Sequence, residues 1–131
     1  MFIDASALTA ILTSEQDARE LLARMQNSNA RLTSPLAIWE TTIAVGRRLG
    51  LEIHDARLAV EDFLKLANVE VRAVPPEARE LAIDAYARYG KGRHPAALNF
   101  GDCFAYACAR LAKTPLLYKG DDFPQTDIET A

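Results

Sequence analysis

The feature that most constrains this chain is its alternation of short apolar runs with helix-length segments. Met1-Phe2-Ile3, Arg31-Leu32-Thr33, Val69 to Val74 and Pro115-Leu116-Leu117-Tyr118 read as strands, and Thr126-Asp127-Ile128 reads as a short final one. Between them the periodicity predicts helices at Ser6–Leu12, Asp55–Ala67, Glu77–Tyr89 and Asn99–Ala112. Another is predicted from Ser14, its N-cap, with Asp17 at the capping-box position and Leu21, Leu22 and Met25 as its apolar stripe. Ser34 followed by Pro35 opens a helix that runs to Arg48 and is closed by Gly50. Strands this short, separated by helices, imply an α/β fold with a short, mostly parallel central sheet flanked by helices on both faces. The length of 131 residues suits a single domain spanning 1–131. Ligands on such sheets sit beyond the carboxyl ends of the strands.

Charge narrows the function. Fifteen Lys and Arg against eighteen Asp and Glu give a net charge of −3, which excludes binding nucleic acid by basic charge alone. Nucleic acid stays open as a substrate, because a divalent cation can invert an acidic field. The opening residues lack a basic segment followed by a long apolar one, and no run approaches the roughly 20 apolar residues of a membrane span. A cytoplasmic location without membrane association is therefore expected. Cys103 and Cys108 point to different faces of one helix and read as buried thiols.

The acids stand in telling places. Asp4 ends the first strand, and Asp122, preceded by Asp121, lies just past the strand 115–118, so both emerge at the carboxyl edge of the sheet. Glu40 is the only acid of the helix 35–48. Leu36, Trp39, Ile43 and Gly46 surround it, while Ile38, Thr42, Val45 and Leu49 make the other side apolar too, so the helix is expected to be buried nearly all round. An unpaired buried carboxylate must protonate, pair or bind a cation, and Arg47 and Arg48 sit at a poor spacing for pairing. Asp102 falls in the first turn of a helix that Asn99 can cap. Each acid has a plain structural explanation, but several carboxylates in one cleft repel unless a cation lies between them. Hard oxygen donors favour Mg²⁺, with Mn²⁺ as a substitute, and such sites handle phosphate esters.

These pieces together resemble the PIN-domain family, and within it the VapC-like toxin ribonucleases of type II toxin–antitoxin systems. The matching segments are Met1-Phe2-Ile3-Asp4-Ala5-Ser6-Ala7-Leu8, Ile38-Trp39-Glu40-Thr41, Asn99-Phe100-Gly101-Asp102-Cys103-Phe104-Ala105-Tyr106-Ala107 and Leu116-Leu117-Tyr118-Lys119-Gly120-Asp121-Asp122-Phe123. The resemblance covers essentially the whole chain in the right order. It implies a metal-dependent endoribonuclease that leaves a 5′-phosphate and a 3′-hydroxyl. It also implies Asp4, Glu40, Asp102 and a tail acid as the site, with Asp122 favoured over Asp121. Asp4 and Asp102 would hold one or two Mg²⁺. Glu40 and Asp122 (or Asp121) would be further or water-mediated ligands. Ser6 and Asn99 are supporting residues, Ser6 either holding an Asp carboxylate or acting as a plain N-cap.

Other chemistries lose by comparison. No Gly-rich phosphate loop follows the first strand, and His54 and His94 have no partner at zinc-ligand spacing. Lys91, Arg93 and His94 lie in one Gly- and Pro-rich loop and can serve as RNA contacts, or as a solvated loop. A PIN nuclease in RNA processing and a catalytically silent PIN scaffold are the competing functions. The expected partners are an RNA substrate, a VapB-like antitoxin and a second copy in a homodimer, the last from relatives and from the apolar content of helices 35–48 and 55–67.

Overall fold

Strands of only two residues can bury both faces only if helices cover both, and this is the architecture found. A computed structural model describes the chain from Met1 to Ala131. Its elements run β1 (Phe2–Ile3), α1 (Ala5–Leu12), α2 (Ala18–Gln26), β2 (Leu32–Thr33), α3 (Pro35–Leu49), α4 (Ile53–Leu66), β3 (Glu70–Val71), α5 (Ala78–Tyr89), α6 (Phe100–Ala112) and β4 (Leu116–Leu117). The sheet is parallel throughout, in the order β3-β2-β1-β4. Phe2, Leu32 and Leu116 point to one face and pack on α5 and α6. Ile3 and Leu117 point to the other and pack on α1, α2, α3 and α4. β1 and β4 thus feed two cores, one residue apiece, as the period of two requires. Ile3, Leu116 and Leu117 are fully buried, and truncating any of them to Ala should cost about 2–5 kcal/mol.

The helix ends follow their sequence signals in part. Ser34 caps α3 by accepting from the Ala37 amide at 3.2 Å, Pro35 occupies the first turn, and Gly50 ends the helix at φ 63°. The expected cap at Ser14 is wrong: its φ of 53° belongs to a left-handed turn after α1, and α2 begins only at Ala18. The predicted strand 69–74 shrinks to Glu70–Val71, both exposed at the sheet edge. No strand forms at 126–128. Instead the tail pairs one step later, where Leu116 bridges Thr130 and covers the β4 edge.

α3 is not buried all round. Its core-facing stripe is Ala37, Thr41, Thr42, Val45 and Gly46, whereas Trp39 is 66% and Leu49 48% exposed. Small residues face inward because α1 and α4 pack closely there. A β-carbon on Gly46 would already touch that of Ala56 at 3.5 Å.

Candidate active site

The carboxyl edge of the sheet collects the ends of β1, β2 and β4. Asp4 follows β1 and caps α1. Its Oδ2 accepts from the Ser6 amide at 2.9 Å and from the Ser6 hydroxyl. That hydroxyl in turn accepts from the Lys119 amide at 3.0 Å, tying the end of β1 to the end of β4. The Asp4 amide itself donates to Leu117 O at 2.9 Å. Asp4 is buried and has no cation beside it. Burial raises its pKa, against the opposing hydrogen bonds from Ser6 and Ala5.

Asp102 enters from the first turn of α6. It forms a reciprocal capping box with Asn99: the Asn99 amide donates to Asp102 Oδ2 at 2.9 Å, and the Asp102 amide donates to Asn99 Oδ1 at 3.0 Å. Both structural and electrostatic roles therefore fall on one residue. Burial pushes Asp102 up to about 6, opposed by the Asn99 amide and reinforced by the charges of Asp4 and Asp122. Glu40 reaches the same place from α3. Burial, then Asp4, then Asp102 push it up to about 7. It makes no pair with Arg47 or Arg48. Arg48 instead pairs with Glu15, which also binds Lys119 and fastens the α1–α2 loop beneath the edge. Asp4, Ser34, Ala37, Glu40, Gly101 and Phe104 line one crevice.

The two tail acids separate. Asp122 is exposed at the head of a 3₁₀ turn, Phe123–Gln125, and its charge acts on Asp102. Asp121 contributes to none of the three raised values.

The donor set is hard oxygen, mutually repelling and without a Lys or Arg partner, which suits a hard divalent cation. No three His, Cys, Asp or Glu side chains are grouped to hold an ion by themselves. A cation here would take one or two carboxylates and keep water, which is how Mg²⁺ commonly binds.

The family model described as the PIN domain matches residues 1–129. The chain belongs to the PIN domain family. Among relatives of this PIN domain, VapC ribonuclease Mb0640 of Mycobacterium bovis is 41% identical over 130 residues, covering 99% of this chain and 97% of its own. Ribonuclease VapC of Mycolicibacterium smegmatis is 42% identical over 128 residues, covering 98% and 97%. The crystal structure of Mycobacterium tuberculosis VapC20, described as a sarcin–ricin loop cleaving toxin, superposes with a TM-score of 0.78 at 20% identity, over 99% of this chain and 97% of that one. That likeness bears out the α/β fold with a parallel sheet between helical layers.

Outside the acid cluster, this PIN domain places Lys91 and Arg93 exposed in the loop between α5 and α6. Arg93 lies 5.4 Å from the Tyr86 ring centre. His94 is half-buried: its Nδ1 accepts from the Ala96 amide at 3.1 Å and its ring meets Tyr89 edge-on. None of the three bonds to the acids. Cys103 and Cys108 are buried and free, and burial pushes each thiol up to about 11, the setting of a structural cysteine. No helix is long and apolar enough to cross a membrane.

One residue of the site escaped the sequence reading. Gly101 sits in the first turn of α6 directly against the Glu40 carboxylate. A glycine inside a helical pattern, with no turn to make, was the available signal.

Proposed function

We propose that this PIN domain is a Mg²⁺-dependent endoribonuclease and the toxin of a toxin–antitoxin pair. One observation carries the reading: Asp4, Glu40 and Asp102, from three separate elements, all have raised pKa values with no cation among them, burial first in each case and the charge of Asp4 adding to the rise of the other two. A scaffold has no use for such repulsion. The relatives named VapC ribonuclease, at about 40% identity, support RNA as the substrate.

Asp4 and Asp102 would hold the ion, with Glu40 and Asp122 as further or water-mediated ligands. Bound there, Mg²⁺ supplies positive charge for the scissile phosphate and lowers the pKa of water. The chain does the rest by position. Ser6 locks the Asp4 rotamer from two directions, through its amide and its hydroxyl. Asn99 fixes Asp102 Oδ2 and leaves Oδ1 without a protein donor. Glu40, whose carboxylate has no hydrogen bond or ion pair within the chain, can accept a proton from an attacking water on a carboxylate oxygen. The exposed Lys91 and Arg93 are available to RNA phosphates.

Two partners follow. A VapB-like antitoxin that places an Arg or Lys among the acids would neutralise them as the ion does. Trp39 and Leu49 on α3, with Ile53, Leu58 and Leu66 on α4, are exposed large apolar residues that a homodimer would cover. The decisive experiment maps 5′ ends of RNA in cells expressing the protein beside Asp4→Ala. New ends that vanish with Asp4→Ala are expected, and identical ends in both would overturn the reading.

A further inference from the structure

Glu40 differs from its neighbours in what holds it. Asp4 is fixed by Ser6 and Asp102 by Asn99, whereas Glu40 projects from α3 toward α6 without a hydrogen bond or ion pair of its own. Shape must do what bonds do elsewhere. A β-carbon built on Gly101 would lie 2.6 Å from Glu40 Cδ, 2.7 Å from Oε2 and closer still to Oε1, where real β-carbon contacts essentially never fall below 3.0 Å. The carboxylate therefore fills the volume that any side chain at 101 would need.

Nothing else accounts for a glycine there. Gly101 is not among the glycines with positive φ, and inside a helix glycine is inferior to alanine. Gly90 makes the contrast. A β-carbon there would meet the backbone oxygen and the ring of Tyr86, which are parts of the framework. At Gly101 all three nearest atoms belong to the mobile end of one carboxylate side chain.

We infer that Gly101 is a positioning residue: by lacking a side chain it lets the first turn of α6 seat the Glu40 carboxylate beside Asp4 and Asp102. This rests on the reading of that edge as a cation-dependent nuclease site. On the same reading, residue 101 sets how long an acid the α3 position can carry. Alanine at 101 displaces the Glu40 carboxylate from this seat, whereas an aspartate at 40, retracted by one methylene, clears the added β-carbon.

The test uses the full chain as wild type, Gly101→Ala, Glu40→Asp and the double variant, titrated with Mn²⁺ alone by calorimetry and assayed for RNA cleavage. Gly101→Ala should melt no lower than wild type in the absence of metal. It should still lose about tenfold or more in Mn²⁺ affinity and in cleavage, the scale of orienting residues at metal sites. In the double variant the second substitution should restore part of that loss, although Glu40→Asp alone weakens the protein. Wild-type affinity and cleavage in Gly101→Ala, or losses that simply multiply, would overturn the inference. A metal-free cycle separates the contact from the chemistry. Gly101→Ala should raise the melting temperature more in a Glu40→Ala background than in wild type, because only wild type has the carboxylate in the way. Equal shifts would refute the contact itself. The unequal shifts, together with a wild-type protein that binds no Mn²⁺, would instead sink the cation reading.

Discussion

Two acids close to α6 have opposite fates. Asp127 accepts from Tyr106 Oη at 2.6 Å and from Arg88 at 3.1 Å, with Arg110 at 3.5 Å. The Tyr106 hydrogen bond first, then the two guanidinium groups, hold its carboxyl below the usual range. Asp102 has a capping amide but no cation, and stands well above that range at about 6. The first acid ties the tail to α5 and α6. The second is kept near Asp4 and Glu40, where its charge costs stability. An acid that serves the fold brings its counter-charge with it, whereas an acid left without one is set to receive it from outside.

The sharpest test of that contrast is activity. Asp102→Asn should lower RNA cleavage by about 10²-fold or more, the scale of losing one directly stabilising group, while Asp127→Asn should stay within a few-fold of wild type. Comparable losses in both would erase the distinction.

Stability against pH is the next test, and its sign follows from proton linkage. Glu40 and Asp102 have raised folded pKa values, so the folded metal-free protein binds more protons than the unfolded chain. Its stability should fall as pH rises from about 4, through the folded values of about 6 and about 7, and level off only well above the second, when both groups are charged in both states. A total of order 2 kcal/mol is expected after solvent screening. Asp102→Asn keeps a capping oxygen and removes one charge, so without metal it should melt higher than wild type near pH 7.5. Mn²⁺ should then stabilise wild type more than the variant. Melting curves of both proteins with and without Mn²⁺ decide this. If metal shifted both equally, Asp102 would be a helix cap and nothing more.

The smallest effect belongs to Asp127 and has the opposite sign. Its folded pKa is lowered, so its contribution is present above the unfolded value near pH 4 and is lost as pH falls through the folded one. The side chain is 41% exposed, so Asp127→Asn should cost only about 0.5–1 kcal/mol near neutral pH. Denaturation midpoints of wild type and variant should differ more at pH 7 than at pH 3.

What was legible in the sequence was whatever depends on local pattern. Short apolar runs such as Met1-Phe2-Ile3 and Pro115 to Tyr118 read as strands buried on both faces, and Ser34-Pro35 and Gly50 mark helix ends by mechanisms internal to a few residues. Asp4, Glu40 and Asp102 were visible as acids in apolar settings. The failures have a different origin. Ser14 has the composition of a cap, but its backbone turns left-handed, which side-chain chemistry does not announce. Thr126 to Ile128 has strand composition, yet the bridge to Leu116 falls at Thr130, because pairing is settled by tertiary register. In α3, Trp39 and Leu49 lie outside the core that the apolar composition of the helix predicts for them. Apolar residues for a molecule's own interior and for its outer surface look alike in one dimension. Gly101 was missed because its role is to be absent where a residue 61 positions earlier needs room.

The strand order has a consequence in time. β1 is made before the other three strands, yet it lies inside the sheet, between β2 and β4. Its outer hydrogen bonds, from Phe2 N to Pro115 O and from Asp4 N to Leu117 O, wait for residues more than a hundred positions downstream. So does the Lys119 amide that steadies Ser6. A chain growing toward its carboxyl end therefore carries Asp4 long before β4 and cannot set it in place until β4 has been added. The acid that begins the site is among the last to be fixed.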